Sequence, residues 1–231
     1  QWNELAAAAG TLPRNVKGRA GQLTAAGEVW HVGGFDFDQP LVLDGNRLYL
    51  RRYWRDETLV AETIRARAAQ VREVDAAAVK EKVAALFASE RKGETPDWQK
   101  LASTIALRGA VSIITGGPGT GKTYTVARLI ALLFATAGDA DHLRIALAAP
   151  TGKAAARLKQ SIDKALDELS DKAGELKLKE LAGRMGAART LHSLLGARPD
   201  TRSFAHNKGN PLDVDVLIVD EASMVHLEMM A

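Results

Sequence analysis

"IITGGPGTGKTYT", residues Ile113 to Thr125, decides how the rest of the chain is read. Within it, Gly116-Gly117-Pro118-Gly119-Thr120-Gly121-Lys122-Thr123 fits the phosphate-loop pattern GxxxxGK[ST]. The apolar run before it, "AVSIIT" (Ala110 to Thr115), predicts a strand, and the segment from Lys122 to Ala135 predicts a helix, so the loop stands where phosphate binding requires it. Glycines let backbone N–H groups curl around phosphate oxygens, and the N-terminal end of the next helix adds donors and the positive end of a dipole. Lys122 is expected to reach the β and γ phosphates of a nucleoside triphosphate. Thr123 is expected to give its hydroxyl to Mg²⁺, a hard cation that takes oxygen ligands. A glycine-rich turn without a ligand is the competing reading.

The second half of such a site is legible in "VLIVDEAS", Val216 to Ser223. Four apolar residues ending in Asp220 place a carboxylate at the C-terminal edge of a strand, where ligands bind in open α/β sheets. Asp220 is the candidate second metal residue and Glu221 the candidate general base for an attacking water. By itself an apolar run followed by two acids describes many solvated turns; the glycine loop gives it meaning.

The chain has 231 residues, 46% of them hydrophobic and 26% charged, enough for one large domain or two modest ones with a proper core. A formal charge of +3 tolerates a polyanion without demanding one. No cysteine is present, which excludes disulfides and thiolate metal sites and fits a reducing cytoplasm. The best apolar run, Val126 to Ala137, holds Arg128 and falls short of the roughly 20 residues a membrane span needs. The front, Gln1-Trp2-Asn3-Glu4, lacks a signal's basic and apolar regions and an initiator methionine, and reads as trimmed.

Pattern changes along the chain divide it into residues 1–92 and 93–231. In the first part "LVLDGNRLYL" (Leu41 to Leu50) predicts a hairpin around Asp44-Gly45-Asn46. Asp56 offers an N-cap to the helix that follows, and Val74 to Ala88 carries Val79, Val83, Leu86 and Phe87 at helical spacing. Trp30, Tyr53 and Trp54 read as core or docking aromatics. "RKGET" (Arg91 to Thr95) is the candidate linker. After it, Thr95 can cap and Pro96 open a helix with Trp98, Leu101, Ala102 and Ile105 as its apolar face. "LRIALAAP" (Leu143 to Pro150) and "VDVLIVD" (Val214 to Asp220) predict further strands buried on both faces, with a helix from Ala154 to about Leu169 between them. The alternation of strand and helix implies an α/β domain with a parallel sheet.

"TPDWQK", "GGPGTGKT", "APTGKAA", "TLHSLLG" and "VDEASM" stand in the order and spacing of superfamily 1 helicases. Together with "LDGNRLYLRRYWRDE" in the first part, the chain resembles the RecD-type alpha subunits of bacterial exodeoxyribonuclease V. The resemblance implies a P-loop NTPase (RecA-like) parallel sheet with flanking helices, truncated after the acidic motif and preceded by a smaller, mostly helical N-terminal domain with a β-hairpin that docks partners. It implies ATP and Mg²⁺ as cofactors, RecB-like and RecC-like subunits and single-stranded DNA as partners, 5′ to 3′ movement on DNA in double-strand break repair, and a cytoplasmic protein. It also implies that Gln99 reads the adenine edge; from the residues alone Gln99 is one polar side chain near a helix start. Thr151, Gly152 and Lys153 of "APTGKAA" resemble a motif that grips single-strand phosphates, where residue chemistry alone describes a strand-to-helix turn with free N–H donors. Thr190 and His192 of "TLHSLLG" resemble the next strand-contacting motif, and a capping threonine with a core or capping histidine explains them equally.

The γ-phosphate-sensing glutamine and the second RecA-like domain with its arginine finger are absent from these residues, and such a finger is worth about 10³–10⁵ in turnover. This piece is therefore expected to bind nucleotide better than it hydrolyses it. Tyr124 stands where a smaller residue is common in the family. "SFAHNKGNP" (Ser203 to Pro211) suggests a small hairpin. The competing readings are a standalone RecD-like helicase, a nucleotide-gated assembly module, and a nucleotide kinase; the arginine-rich lid and acceptor site that a kinase needs are not recognisable.

Overall fold

The computed structural model describes residues 29–32, 35–38, 41–44, 47–87, 97–117, 119–170, 178–198 and 203–231. Pro118, the RKGET linker, Thr95, Pro96, the Gly45-Asn46 turn and the Trp30 side chain lie outside the described residues. Two compact units result, one of residues 1–65 with 226–231, the other of residues 66–225.

In the first unit, strands β1 (Val29–Val32) and β2 (Phe35–Asp38) pair antiparallel, a pairing the sequence pattern had not disclosed. The hairpin foreseen at Leu41 to Leu50 is present as β3 (Leu41–Asp44) and β4 (Arg47–Leu50), with Asp44 opposite Arg47. β4 runs without interruption into helix α1 (Arg51–Ala68). Asp56, expected to cap that helix, therefore lies inside it, because the strand hands over directly to helical backbone at Arg51. Trp54 is half-buried, whereas Tyr53 is exposed and lies under the Arg52 guanidinium, 4.4 Å from ring centre to cation.

The second unit is built around one helix. Helix α2 (Ala76–Leu86) is capped by Asp75, whose carboxylate accepts from the N–H groups of Ala77 and Ala78. It buries Val79, Val83 and Leu86, followed by Phe87. Helix α3 is Trp98–Arg108, and α4 is Lys122–Thr136. α4 packs against α2, α3 and the long helix α5 (Gly152–Ser170), and Ala127, Ile130, Ala131 and Leu132 are fully enclosed between them. Truncating a core leucine or isoleucine so enclosed, such as Ile130 or Leu132, costs about 2–5 kcal/mol. α5 presents Ala155, Leu158, Ile162, Leu166 and Leu169, every third or fourth residue, to the same core.

The sheet has β6 (Arg189–Thr190) and β9 (Val216–Val219) on either side of β5 (Ile145–Ala149), all parallel, with Ile145 opposite Val216 and Ala148 opposite Val219. The short helix α7 (Leu191–Leu195) lies against β5 and β6, and helix α6 (Leu178–Arg184) packs on α5. An α/β P-loop domain with a parallel sheet and flanking helices is thus what the chain forms.

Five expectations need correction. Residues 110–115, read as the strand entering the glycine loop, form no strand, and Ile113 is 76% exposed. A strand exists only through a neighbour's hydrogen bonds, and among the described residues none pairs with this run. β9 was expected to be buried on both faces; among the described residues it is an edge strand, and none of its residues is buried, Leu217 being exposed. The cap of α3 is Asp97, which accepts from the Gln99 and Lys100 N–H groups. The face of α3 read as apolar is the exposed one, with Trp98 and Ile105 at 69% and 60%, because α3 turns Ser103 and Leu107 toward α4 instead. Ser103 fits there because its hydroxyl donates to the Thr125 carbonyl at 3.4 Å. The stretch from Ser203 is not one simple hairpin: β8 (Ser203–Phe204) pairs back onto β7 (Ala197–Arg198), and Asn207 and Asn210 close a tight turn of their own.

The β5–β9 register is pinned at its start. Asp215 accepts from the Arg144 backbone N–H at 2.8 Å and from Nε and Nη2 of the same arginine at 3.2 and 3.1 Å, while Nη1 pairs with Asp213. The Arg144 side chain, and after it the backbone N–H, holds the Asp215 carboxyl below its ordinary value. A depressed carboxyl contributes stability that is complete above its unfolded-state value and lost as pH falls through the folded one. Asp215→Asn should therefore melt below the parent at pH 7, and the gap should narrow once pH drops below about 4. Thermal unfolding of both proteins from pH 7 to pH 3 checks this; a gap of constant size would contradict it.

Candidate functional site

The glycine loop leads directly into α4, whose first N–H groups have no carbonyl one turn earlier in the helix. Gly121 occupies the N-cap with φ 81° and ψ 26°, and Gly119 has φ 75°. Both are left-handed, a region where an ordinary side chain costs roughly 1–2 kcal/mol, so glycine is required for the backbone to turn its donors inward. Gly116 is required for a different reason: a Cβ there would stand 2.5 Å from the Thr120 hydroxyl. Thr120 folds over the loop, its hydroxyl donating to the Gly117 carbonyl at 2.9 Å.

Lys122 turns back onto the loop, its ammonium donating to the carbonyls of Gly116 and Gly117 at 2.7 and 2.9 Å. Two carbonyls hold the cation at the place where loop and helix meet, where negative charge is also favoured by the helix dipole. Thr123 is the next residue, on the first turn of α4 and partly covered. Gln99, from the first turn of α3, donates its side-chain amide to the Thr120 carbonyl at 3.1 Å, and a Cβ on Gly121 would lie 2.4 Å from that nitrogen. The structure thus brings Gln99, Gly116, Gly117, Thr120, Gly121 and Lys122 together.

Asp220 and Glu221 follow β9. The Asp220 N–H donates to the Ala148 carbonyl at 3.0 Å, extending the pairing by one residue and fixing where the carboxylate emerges. Its Oδ1 accepts from the Glu221 N–H at 2.9 Å. Glu221 has φ 52° and ψ 40°, left-handed and the only non-glycine with positive φ among the described residues. Such a backbone is strained by about 1–3 kcal/mol and persists because its neighbours impose it, here a 3₁₀ turn over Ala222–Met224 in which the Met224 N–H donates to the Glu221 carbonyl. The strain turns an exposed carboxylate away from the line of the strand.

Because β5, β6 and β9 are parallel, their C-terminal ends lie along one edge of the sheet, and Asp220, Thr151 and Thr190 all issue from that edge. Thr151 accepts from the Ala154 N–H at 3.2 Å and opens α5. Thr190 caps α7, accepting from the Ser193 N–H at 3.1 Å, so the capping role is real. His192 is exposed and faces Phe204 with ring centres 6.3 Å apart; it is not a core histidine. Gly152 and Thr190 line a groove of about 620 Å³ between the first turns of α5 and residues 187–193. Lys153 is exposed beside it. Two groove residues were not singled out by sequence. Lys159 donates to Asp163 at 2.5 Å and to the Ala182 carbonyl at 3.0 Å, and Arg189 donates to the Ser193 carbonyl at 2.8 Å. Their charge alone does not distinguish them from a solvated helix face. Among the described residues there is no cluster of His, Cys, Asp or Glu suited to a metal by itself, and no helix is long and apolar enough to cross a membrane.

A family model described as "AAA domain" matches residues 99–231. The chain is similar to the RecBCD enzyme subunit RecD of Mycolicibacterium smegmatis, 46% identical over 84% of this chain and 33% of that one. It is likewise similar to the RecD subunit of Haemophilus influenzae, 39% identical over 83% of this chain and 30% of the other. The ATP-dependent RecD2 DNA helicase of Deinococcus radiodurans is 37% identical over 58% of this chain and 15% of its own length. The chain spans about a third of the length of the RecD subunits it matches.

Gly121→Ala should both strain the loop and push Gln99 off the Thr120 carbonyl. The expected loss is about 1–2 kcal/mol of unfolding free energy, read as a lower denaturant midpoint at unchanged slope. An unaltered midpoint would show that the left-handed turn is not needed.

Proposed function

The chain belongs to the AAA-domain family, and on that premise we propose that it is the first motor domain, with its preceding docking region, of an ATP-dependent DNA helicase subunit of the RecD type. The supporting observation is the junction of glycine loop and buried helix, where Lys122, the loop glycines and Gln99 converge. In this reading residues 116–123 cradle the triphosphate of ATP, Lys122 neutralises its β and γ oxygens, and Gln99 contacts adenine. Thr123 and Asp220 hold Mg²⁺; the ion, when bound, offsets phosphate charge. Oxygen donors on a helix start and a strand end suit a hard cation that keeps several waters. Glu221 takes a proton from the attacking water as general base.

Thr151, Gly152, Lys153, Thr190 and His192 contact the phosphates of single-stranded DNA along the C-terminal edge of the sheet. Helix starts at Gly152 and Leu191 offer N–H donors there, and backbone contacts of this kind position a strand without reading its sequence. The whole protein moves 5′ to 3′ on DNA during break processing in the cytoplasm, with RecB-like and RecC-like subunits bound through residues 1–92. Similarity to the RecD subunits extends over 81–86% of the chain where the standalone RecD2 helicase matches 58%, which favours the complex-bound type.

The decisive experiment uses the full-length protein. Lys122→Ala should abolish DNA-stimulated ATP hydrolysis, and Glu221→Gln should bind Mg·ATP with near-parental affinity while turning over at least a hundredfold more slowly, the lower end of general-base contributions. Undiminished turnover in the lysine variant would refute the nucleotide site. Loss of binding in the glutamine variant would refute the role of Glu221. Separately, deletion of residues 1–65, which leaves α2 on α4, should keep nucleotide binding and reduce co-purification with the RecB-like and RecC-like subunits; equal recovery would refute the docking role.

A further inference from the structure

Arg128 lies on α4, six residues beyond Lys122, at 3% exposure and surrounded by the apolar core. Its Nε donates to the Leu86 carbonyl at 2.9 Å at the end of α2, and its cation stands 3.1 Å from the Tyr124 ring centre and 5.3 Å from that of Phe87. Nη1 has no hydrogen-bond partner among the described residues. Burying a guanidinium carries a desolvation penalty of several kcal/mol, and an apolar side chain of equal volume in such a place is often neutral or stabilising. Stability alone therefore does not account for a charge here.

The surroundings of Arg128 close a ring. Tyr124, stacked on the guanidinium, directly follows Thr123 on the first turn of α4. That turn begins at Gly121, beside which Gln99 clasps the Thr120 carbonyl. Gln99 is held at the start of α3 by Asp97, which caps its N–H. Burial lowers the Arg128 pKa to about 10, so the group stays charged near neutrality, and the Asp97 carboxylate is the largest of the charges opposing that fall. The path thus runs from the cation through Tyr124 to the phosphate-facing turn, across to Gln99, and back through Asp97.

We propose that Arg128 is a positioning residue that couples Gln99 on α3 to the Lys122–Thr123 turn on α4, so that contact with the base and grip on the phosphates are set together. The inference rests on the nucleotide-site reading above. Without the cation, Tyr124 loses the group that orients its ring; the two helices remain packed through Ser103 and Leu107, but the two halves of the site become independent.

The test is a double-mutant cycle in the full-length protein, with affinity for Mg·ATP measured by titration and thermal unfolding recorded for each variant. Gln99→Ala and Arg128→Met should each weaken binding by about tenfold, and the double variant by about the same tenfold in place of a hundredfold, because coupled residues are not additive. Arg128→Met should melt within a few degrees of the parent, since loss of the buried charge offsets loss of its contacts. Arg128→Lys, which keeps charge without the planar stack, should recover part of the affinity and serves if the methionine variant fails to fold. Additive losses, or affinity falling only in step with melting temperature, would overturn the proposal. Failure of the parent protein to bind Mg·ATP would instead overturn the nucleotide site itself.

Discussion

Burial of the helix Lys122–Thr136 is the constraint from which the rest of the motor unit follows. Three other helices enclose it, and its middle residues are shielded completely. Its first turn is more open, with Lys122 and Thr123 partly covered and Tyr124 exposed, and that is where the glycine loop enters. A helix so enclosed cannot slide or rotate without opening voids in a close-packed interior. Its first turn is therefore a fixed platform, while Gly116, Gly117, Gly119 and Thr120 ahead of it are exposed, the loop being held by a few hydrogen bonds. Rigidity behind and adaptability in front is the division that binding sites on loops generally need.

The sheet contributes position in a different way. Asp220 is placed by strand register, through Arg144 and Asp215 at one end of the β5–β9 pair and the Asp220 N–H to Ala148 carbonyl bond at the other. The register spans only four residue pairs, so each end matters. A slip by one residue would turn Asp220 to the other face. The left-handed Glu221 then redirects the chain at once.

How much of this was legible in the sequence depended on whether a feature is local. The glycine loop, the helices around 122–136 and 152–170, the hairpin at 41–50 and the parallel strands at 145–149 and 216–219 were all legible, because turn chemistry and apolar periodicity act over a few residues. What failed were inferences about which neighbour a particular residue meets. "AVSIIT" has a strand's composition and no partner among the described residues. The spacing of Trp98, Leu101 and Ile105 is helical, and the helix is there, but periodicity cannot say which face meets α4 when Ser103 and Leu107 lie on the other side. Asp56 has a cap's chemistry inside a helix that had already begun. Arg128 was noted only as an interruption of an apolar run, since nothing in a linear pattern places it against Leu86, Phe87 and Tyr124 at once.

The hydrogen bonds of Lys122 explain how one loop can be both ordered and receptive. Its ammonium is satisfied by two neutral carbonyls, which keeps the cation from the full cost of being left unpaired near a partly covered turn. Phosphate oxygens are charged acceptors, and charge-assisted bonds are roughly twice as strong as neutral ones. In the proposed nucleotide-bound state, exchange of the Gly116 and Gly117 carbonyls for phosphate would therefore be favourable at the lysine and would free those carbonyls toward solvent, which the exposure of both glycines permits. Gln99 is placed differently: its amide nitrogen is committed to Thr120, and its carbonyl oxygen is the group that, in the function proposed above, would accept from the base. On that proposal a purine offering an exocyclic amine would be recognised without breaking the clasp, and the same side chain would hold the loop and contact the base as long as α3 and α4 keep their relative positions.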